Sequence, residues 1–462
     1  MSALWTSDEI AAATGGQAST SFEVTGITFD SREVQDGDLF VAMPGTAHDG
    51  HQFLASAFDR GAAGAIVSRP IDRPHVLVED TARALDALAR ASRDRSRATV
   101  IGITGSVGKT STKEALYAAL DRCSHGQVHR SVKSYNNHTG VPLSLARMPG
   151  DAEYAVLEMG MNNAGEIAAL TRLVRPHVAL ITAIGPAHIE NLGSEEAIAD
   201  AKGEIFQGLE PDGIAIIPND TPHRDRLVRA AKRHAGQIVT FGGGDADVHA
   251  LHSVRSEAGG SLLTAALLER ELTFTISQRG DHWVSNALAV LAAVEAVGAD
   301  VAVAGLALAD MGGLKGRGER HAIALESGEA LLVDESYNAN PASMAATLKS
   351  LGSEQVSGRR IAVLGAMKEL GPHSDELHSG LASAVIEAKI DMLILLGDET
   401  RPLEQALAGQ VDVERAGSVD LAADLLLRIL RPGDAVLVKA SNSVGLARLV
   451  ERVAGESATC ST

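Results

Sequence analysis

Apolar residues along this chain fall mostly in short unbroken runs, not in alternation with polar ones. Asp38-Leu-Phe-Val-Ala-Met43 and Gly64-Ala-Ile-Val67 are the first two. Thr99-Val-Ile-Gly-Ile-Thr104, Ala155-Val-Leu157, Val178-Ala-Leu-Ile-Thr182 and Ile214-Ala-Ile-Ile217 follow. A last group comprises Ala330-Leu-Leu-Val333, Ile361-Ala-Val-Leu364, Met392-Leu-Ile-Leu-Leu396 and Ala435-Val-Leu-Val438. Unbroken apolar strands separated by helical stretches predict parallel sheets covered on both faces. Between the strands, Thr110 to Leu120 reads as a helix, and so does Ser194 to Leu209. In the second of these, Ile198, Ala201, Ile205, Phe206 and Leu209 recur at helical spacing. Ala287 to Ala309 is the most apolar stretch, but it contains Glu295 and Asp300, so a pair of core helices is expected and not a membrane span. The arginine-rich run Arg90 to Arg97 reads as a solvated helix end or linker. Gly312-Gly-Leu-Lys-Gly-Arg-Gly318 reads as a hinge.

Length supports division into several units. At about 150 residues per domain, 462 residues suggest roughly three. The expected boundaries are 1–95, 96–315 and 316–462, all α/β. Apolar residues are 45% of the chain and aromatics only 3%, so the cores must be built from Ala, Val, Leu and Ile. The 41 basic residues stand against 59 acidic ones, a net charge of −18. Such a field repels nucleic acid and anionic membranes, so an anionic ligand needs a local site. Two cysteines, Cys123 and Cys460, are too few for a disulfide framework and suit a reducing cytoplasm. Acidic residues precede any apolar run near Met1, so no signal peptide is expected.

The candidate chemistry begins at Thr104-Gly-Ser-Val-Gly-Lys-Thr110, directly after an apolar strand and before a helix. Backbone N–H groups at such a helix start point toward an anion, and the helix dipole favours negative charge. Lys109 can reach β- and γ-phosphates, and the Thr110 hydroxyl can ligate Mg²⁺. Ile103 stands where the standard phosphate-loop pattern has its first glycine, so this is a shorter variant. Ligands of open parallel sheets sit at the carboxyl ends of strands. Glu158 follows one strand and His188 lies just beyond another, so both are placed to face the loop. Lys202 lies on the apolar stripe of its helix, four residues from Ile198 and from Phe206. A lysine desolvated there loses its proton easily. A neutral amine near a dication can take up CO₂ as a carbamate and become an oxygen ligand. Read alone, a lysine on such a stripe is usually a snorkelling stem at its border.

With these residues in view, the sequence resembles the Mur ligase family over nearly its whole length. The likeness is carried in the first unit by Asp30-Ser-Arg32, Gly37-Asp-Leu-Phe-Val-Ala42 and Asp49-Gly-His51. In the second it is carried by Ile103 to Ser111, Asn136-Asn137, Glu158-Met-Gly-Met-Asn162, Ala187-His-Ile-Glu190, Ala201-Lys-Gly-Glu-Ile-Phe206 and Asn286-Ala-Leu-Ala289. In the third it is carried by Gly316-Arg317, Ser336-Tyr-Asn-Ala-Asn-Pro341 and Glu369-Leu-Gly371. The resemblance implies a small α/β domain binding a uridine nucleotide, a phosphate-loop parallel-sheet core binding ATP, and a Rossmann-like C-terminal domain. It implies a cytoplasmic monomer that uses ATP and Mg²⁺ to join D-alanyl-D-alanine to UDP-N-acetylmuramoyl-tripeptide.

By the same resemblance, residues Thr104 to Thr110, including Gly105, Ser106 and Gly108, hold the ATP phosphates. Glu158 binds a first Mg²⁺, while His188 and a carbamylated Lys202 bind a second. Asn286 contacts adenine, and Arg317 reaches the γ-phosphate. Ser31, Arg32 and Asn137 contact the uridine-nucleotide substrate. Asp334-Glu335 stands where two aspartates are usual, and the ribose contact is carried over to Glu335. Ala183, Gly365-Ala-Met367 and Lys439-Ala-Ser-Asn442 also depart from the family pattern. The family's third-residue ligases usually show Asp-Tyr-Ala-His-Thr-Pro and Asp-Asn-Pro-Arg strings; neither occurs. Folylpolyglutamate synthase shares the middle domain but not the front. A nucleotide switch would need one Mg²⁺, not the second-metal set.

Overall fold

The computed structural model describes residues 3–45, 48–256 and 259–459; Cys460 lies outside them. Three large sheets carry the chain. The first is five-stranded, in the order Gln17–Ala18, His75–Leu77, Gly64–Val67, Asp38–Val41, Gly26–Thr28. Only its first pair is antiparallel. Helix Thr81–Arg95 leaves this unit and packs on helix Gly140–Ala146 of the next. Asp80 caps its start by accepting from the N–H groups of Ala82 and Arg83.

The second sheet has nine strands. Thr99–Thr104 lies third from one edge, parallel to Tyr154–Glu158 on one side and Val178–Ile181 on the other. Ile214–Pro218 and Gln237–Gly242 extend the parallel part. An antiparallel meander, Val248–Arg255, Ser261–Ala266 and Glu271–Ile276, finishes that edge. Helices Asp281–Ala296 and Val301–Asp310 form the expected core pair, packed against Lys109–Ser124. Helix Ser194 to Leu209 is shorter than its periodicity suggests. It runs Glu195–Gly203 and tightens into a 3₁₀ turn at Glu204–Gly208, so the stripe continues but the coil does not.

The third sheet has six strands, in the order Glu319–Leu325, Gly328–Glu335, Ala435–Lys439, Arg360–Gly365, Met392–Leu396, Asp412–Ala416. It is parallel except at the Glu319–Leu325 edge, a hairpin strand whose mixed composition hid it from the apolar-run reading. No helix among the described residues is long and apolar enough to cross a membrane.

One expectation holds only in part: the run Arg90 to Arg97 does end a helix, with Arg90, Arg95 and Arg97 exposed, but not all of it is solvated. Arg93, in the supposedly solvated arginine run, is 5% exposed. Its guanidinium donates to the carbonyls of Val174 and Arg175 and pairs with Glu210 at 3.3 Å. Those partners are more than 80 residues away, and no local periodicity announces them.

Candidate functional site

The two neighbours of strand Thr99–Thr104 lie on opposite sides of it, so connections leave its carboxyl end in opposite directions. A crevice opens there, where a parallel α/β sheet binds its ligands. The chain turns through Gly105 and Gly108 (φ +151° and +83°) into helix Lys109–Ser124. A Cβ on Gly105 would lie 2.0 Å from Thr182 Oγ1, so only glycine fits. Thr182 Oγ1 in turn donates to the Val107 carbonyl, and Ser106 exchanges hydrogen bonds with the backbone of Gly185 at 2.9 and 3.1 Å. The loop is thus clamped from the neighbouring strand end. No side chain caps the helix, so its leading N–H groups remain for an anion.

A cavity of about 440 Å³ lies over this loop, between the second and third sheets. Ser106, Gly108, Lys109, Thr110, Asn137, Glu158, His188, Asn286, Arg317 and Glu335 all line it. Thr104 and Gly105 open the loop and do not line the cavity. Ser31 and Arg32 lie outside the cavity, on the first unit. Ser31 is buried, and Arg32 is exposed in a bidentate pair with Asp30. Their loop reaches the cavity's edge through Glu33, which pairs with Lys133, next to the lining residue Ser134. Asn137 also shapes its own turn, where its Oδ1 accepts from the N–H groups of Thr139 and Gly140.

Thr110 Oγ1 donates to Glu158 Oε2 at 2.9 Å, and the Asn136 amide donates to the other carboxylate oxygen at 2.8 Å. Mg²⁺ binds oxygens octahedrally at about 2.1 Å, which sets neighbouring ligands about 3.0 Å apart. The hydroxyl and carboxylate are therefore spaced as adjacent ligands of one such ion.

Lys109 Nζ donates to the Gly105 carbonyl at 2.7 Å. Burial lowers its pKa, against the opposing pull of Glu158. Lys202 is 1% exposed, which excludes the snorkelling alternative. Its ammonium has no hydrogen bond or ion pair among the described residues. Burial holds its pKa well below the ordinary lysine value, and the nearby Lys109 cation adds to the effect. It does not itself line the cavity. A desolvated, unpartnered amine beside the Lys109 cation is one that gives up its proton readily. His188 Nδ1 is buried 2.5 Å from Glu369 Oε2, although the contact is not aligned as a hydrogen bond. The imidazole holds the Glu369 carboxyl below its usual pKa.

From the third sheet, Arg317 stacks over the Tyr337 ring at 4.2 Å. Asp334 is 2% exposed, and its carboxylate accepts from the backbone N–H groups of Gly316 and Ser336. That leaves Glu335 as the acid facing the cavity, 3.3 Å from the buried Lys439. Burial lowers the pKa of Lys439, with Glu335 opposing. Ser134, Asn136, His282 and Tyr337 also line the cavity but were not singled out in the sequence. Asn136 was visible only as half of an Asn-Asn pair, and Tyr337 only inside a longer motif. Nothing local marks His282.

Three family models match the chain: Mur ligase middle domain at residues 103–294, Mur ligase glutamate ligase domain at 316–442, and Mur ligase family catalytic domain at 23–93. The UDP-N-acetylmuramoyl-tripeptide–D-alanyl-D-alanine ligase of Bacillus subtilis is 34% identical, over 95% of each chain. The enzyme of that name from Escherichia coli is 35% identical, over 94% of each. A crystal structure of MurF from Acinetobacter baumannii superposes with a TM-score of 0.83 at 30% identity, covering 98% of this chain and 99% of that one. MurF from Thermotoga maritima in complex with ADP gives 0.77 at 29%, covering 94% and 98%. With three family models along its length and full-length relatives above 30% identity, the chain belongs to the Mur ligase family, whose members are ATP-dependent ligases.

Proposed function

We propose that this chain joins the terminal carboxylate of UDP-N-acetylmuramoyl-tripeptide to the amine of D-alanyl-D-alanine, converting ATP to ADP and phosphate, in peptidoglycan precursor synthesis. The observation that carries the reading is a full-length likeness to ligases of that name, combined with an uncapped phosphate loop facing a cavity between two sheets. We assign residues 1–95 to the uridine-nucleotide substrate, through Ser31 and Arg32, with Asn137 joining from the middle domain. Residues 96–315 bind ATP, and 316–462 form the closing domain. The enzyme acts as a cytoplasmic monomer.

A carboxylate is a poor acyl donor because its leaving group would be oxide. Transfer of the γ-phosphoryl group to a carboxylate oxygen gives an acyl phosphate and ADP. The amine then attacks the acyl carbon, loses its proton, and the tetrahedral intermediate expels phosphate. Lys109 and Arg317 face the cavity where these anions meet and offset their repulsion. Asn286 holds the adenine and Glu335 the ribose. Thr110 and Glu158 would hold one Mg²⁺, and His188 with carbamylated Lys202 a second. When bound, these ions neutralise charge on the phosphates. The third domain shields the acyl phosphate from water when it closes.

The test is phosphate release from ATP with each substrate alone and with both, and the mass of the product. The reading requires release that depends on both substrates and a product heavier than the tripeptide nucleotide by D-alanyl-D-alanine less water. ATP hydrolysis indifferent to either substrate would refute it.

A further inference from the structure

His188 and Glu369 come from different sheets and meet beside the cavity. Both have φ of +63°, a left-handed backbone that residues other than glycine rarely adopt. Such strain persists only where the surroundings impose it, and it concentrates at functional sites. The two loops are in direct contact. The Glu190 N–H reaches the Glu369 carbonyl at 3.4 Å, and a Cβ on Gly371 would come within 3.0 Å of the Glu190 side chain. Ile189, between His188 and Glu190, packs against the hydrophobic cores of both domains. His188 Nδ1 is buried against Glu369, while the residue as a whole lines the cavity. The ring nitrogen left for the cavity is Nε2.

An imidazole binds a metal through an unprotonated nitrogen. Which nitrogen that is depends on the partner of the other one. We propose that Glu369 is a positioning residue for His188: by docking, the third domain supplies the carboxylate that keeps the proton on Nδ1 and presents the Nε2 lone pair to the nucleotide site. This rests on the ligase reading, in which His188 is a metal ligand. The consequence is a two-way coupling. A docked third domain raises the affinity of the middle domain for its second metal, and that metal favours the docked domain by the same factor.

Two readouts on the intact chain test this. The first uses no metal and no nucleotide: long-range proton–nitrogen spectra of the chain labelled with ¹⁵N at histidine, with His188 assigned by its loss in His188→Gln. The wild type should show the Nδ1-protonated ring, and Glu369→Ala should shift the population toward the Nε2-protonated one. The second is Mg²⁺ titrated against the chain holding a non-hydrolysable ATP analogue. Half-saturation should rise about 10-fold or more in Glu369→Ala, as for other losses of a ligand-orienting carboxylate. Glu369→Gln, which keeps an acceptor without the charge, should fall between, and it carries both readouts if the alanine variant does not fold. An unchanged ring tautomer overturns the proposal, and so does unchanged Mg²⁺ half-saturation, whatever happens to turnover. A chain that binds no nucleotide at all refutes the ligase reading instead, and the ring signal still reports the pairing.

Discussion

On the middle-sheet wall of the cavity, Lys109 bonds only to a carbonyl, and Lys202 behind it has no polar partner. On the third-sheet wall, Lys439 faces Glu335, and Glu369 faces His188 across the cleft. The walls answer different demands. A desolvated cation without a counter-charge is costly until an anion arrives. The first wall is therefore suited to receiving an anion, and burial holds its lysines with lowered pKa values. The second wall pairs Lys439 with Glu335 and Glu369 with His188, and leaves Arg317 stacked on Tyr337. It is suited to holding a shape and meeting the first wall in a fixed register.

The contrast breaks most directly at Lys109. Lys109→Ala should reduce turnover on the order of 10³-fold, as losing a preorganised charge-stabilising donor does. The melting temperature should hold or rise, since an unpaired buried cation is removed. Near-normal turnover would mean that the unpaired wall does not serve the anion.

Lys202→Ala should cost on the order of 10²-fold in turnover, the range for losing part of a metal's ligand environment. Added formate or acetate should partly restore activity by replacing the missing carboxylate. Full activity without additive would return Lys202 to a packing role.

The paired wall should respond in stability first. Glu354 is 8% exposed and joins Arg320, on the third sheet, to Arg279, beside the middle sheet's helix pair, at 2.9 and 2.5 Å. Glu354→Ala removes the carboxylate that both arginines share. Each is about one-third exposed, so water recovers part of the loss and about 2 kcal/mol is expected, less than for a fully buried pair. Urea unfolding measures it, and an unchanged midpoint would show that the pairing contributes nothing.

The smallest effect is expected at Tyr337. Tyr337→Ala removes the ring beneath Arg317, worth about 0.5–1 kcal/mol at a partly exposed site. The KM for ATP should rise a few-fold with little change in kcat. A loss comparable to Lys109→Ala would place Arg317, and not the phosphate loop, at the centre of nucleotide binding.

The unpaired wall was the more legible in sequence. Thr99 to Thr110 encodes strand, glycine turn and helix within a dozen positions, and each signal is local. Lys202 could be placed on a core-facing stripe because helical periodicity is local too, although its helix ends sooner than the stripe. Arg93 was misread for the opposite reason. Its neighbours are arginines, but its partners are carbonyls across the fold. The antiparallel strands Ser261–Ala266 and Glu319–Leu325 were missed because polar residues interrupt their apolar pattern.

By itself, the sequence determined which segments become parallel strands, where the phosphate loop turns, and that Lys202 lies on the apolar stripe of its helix. These follow from hydrogen bonding and side-chain periodicity among near neighbours. Only the tertiary structure decided that Glu335 and not Asp334 faces the cavity, since backbone donors at Gly316 and Ser336 engage the Asp334 carboxylate. Only it brought Glu369 to His188, 181 positions away along the chain (369 − 188). Such pairs depend on how separate sheets dock. That is fixed by the summed packing of whole surfaces, which no local pattern of residues records.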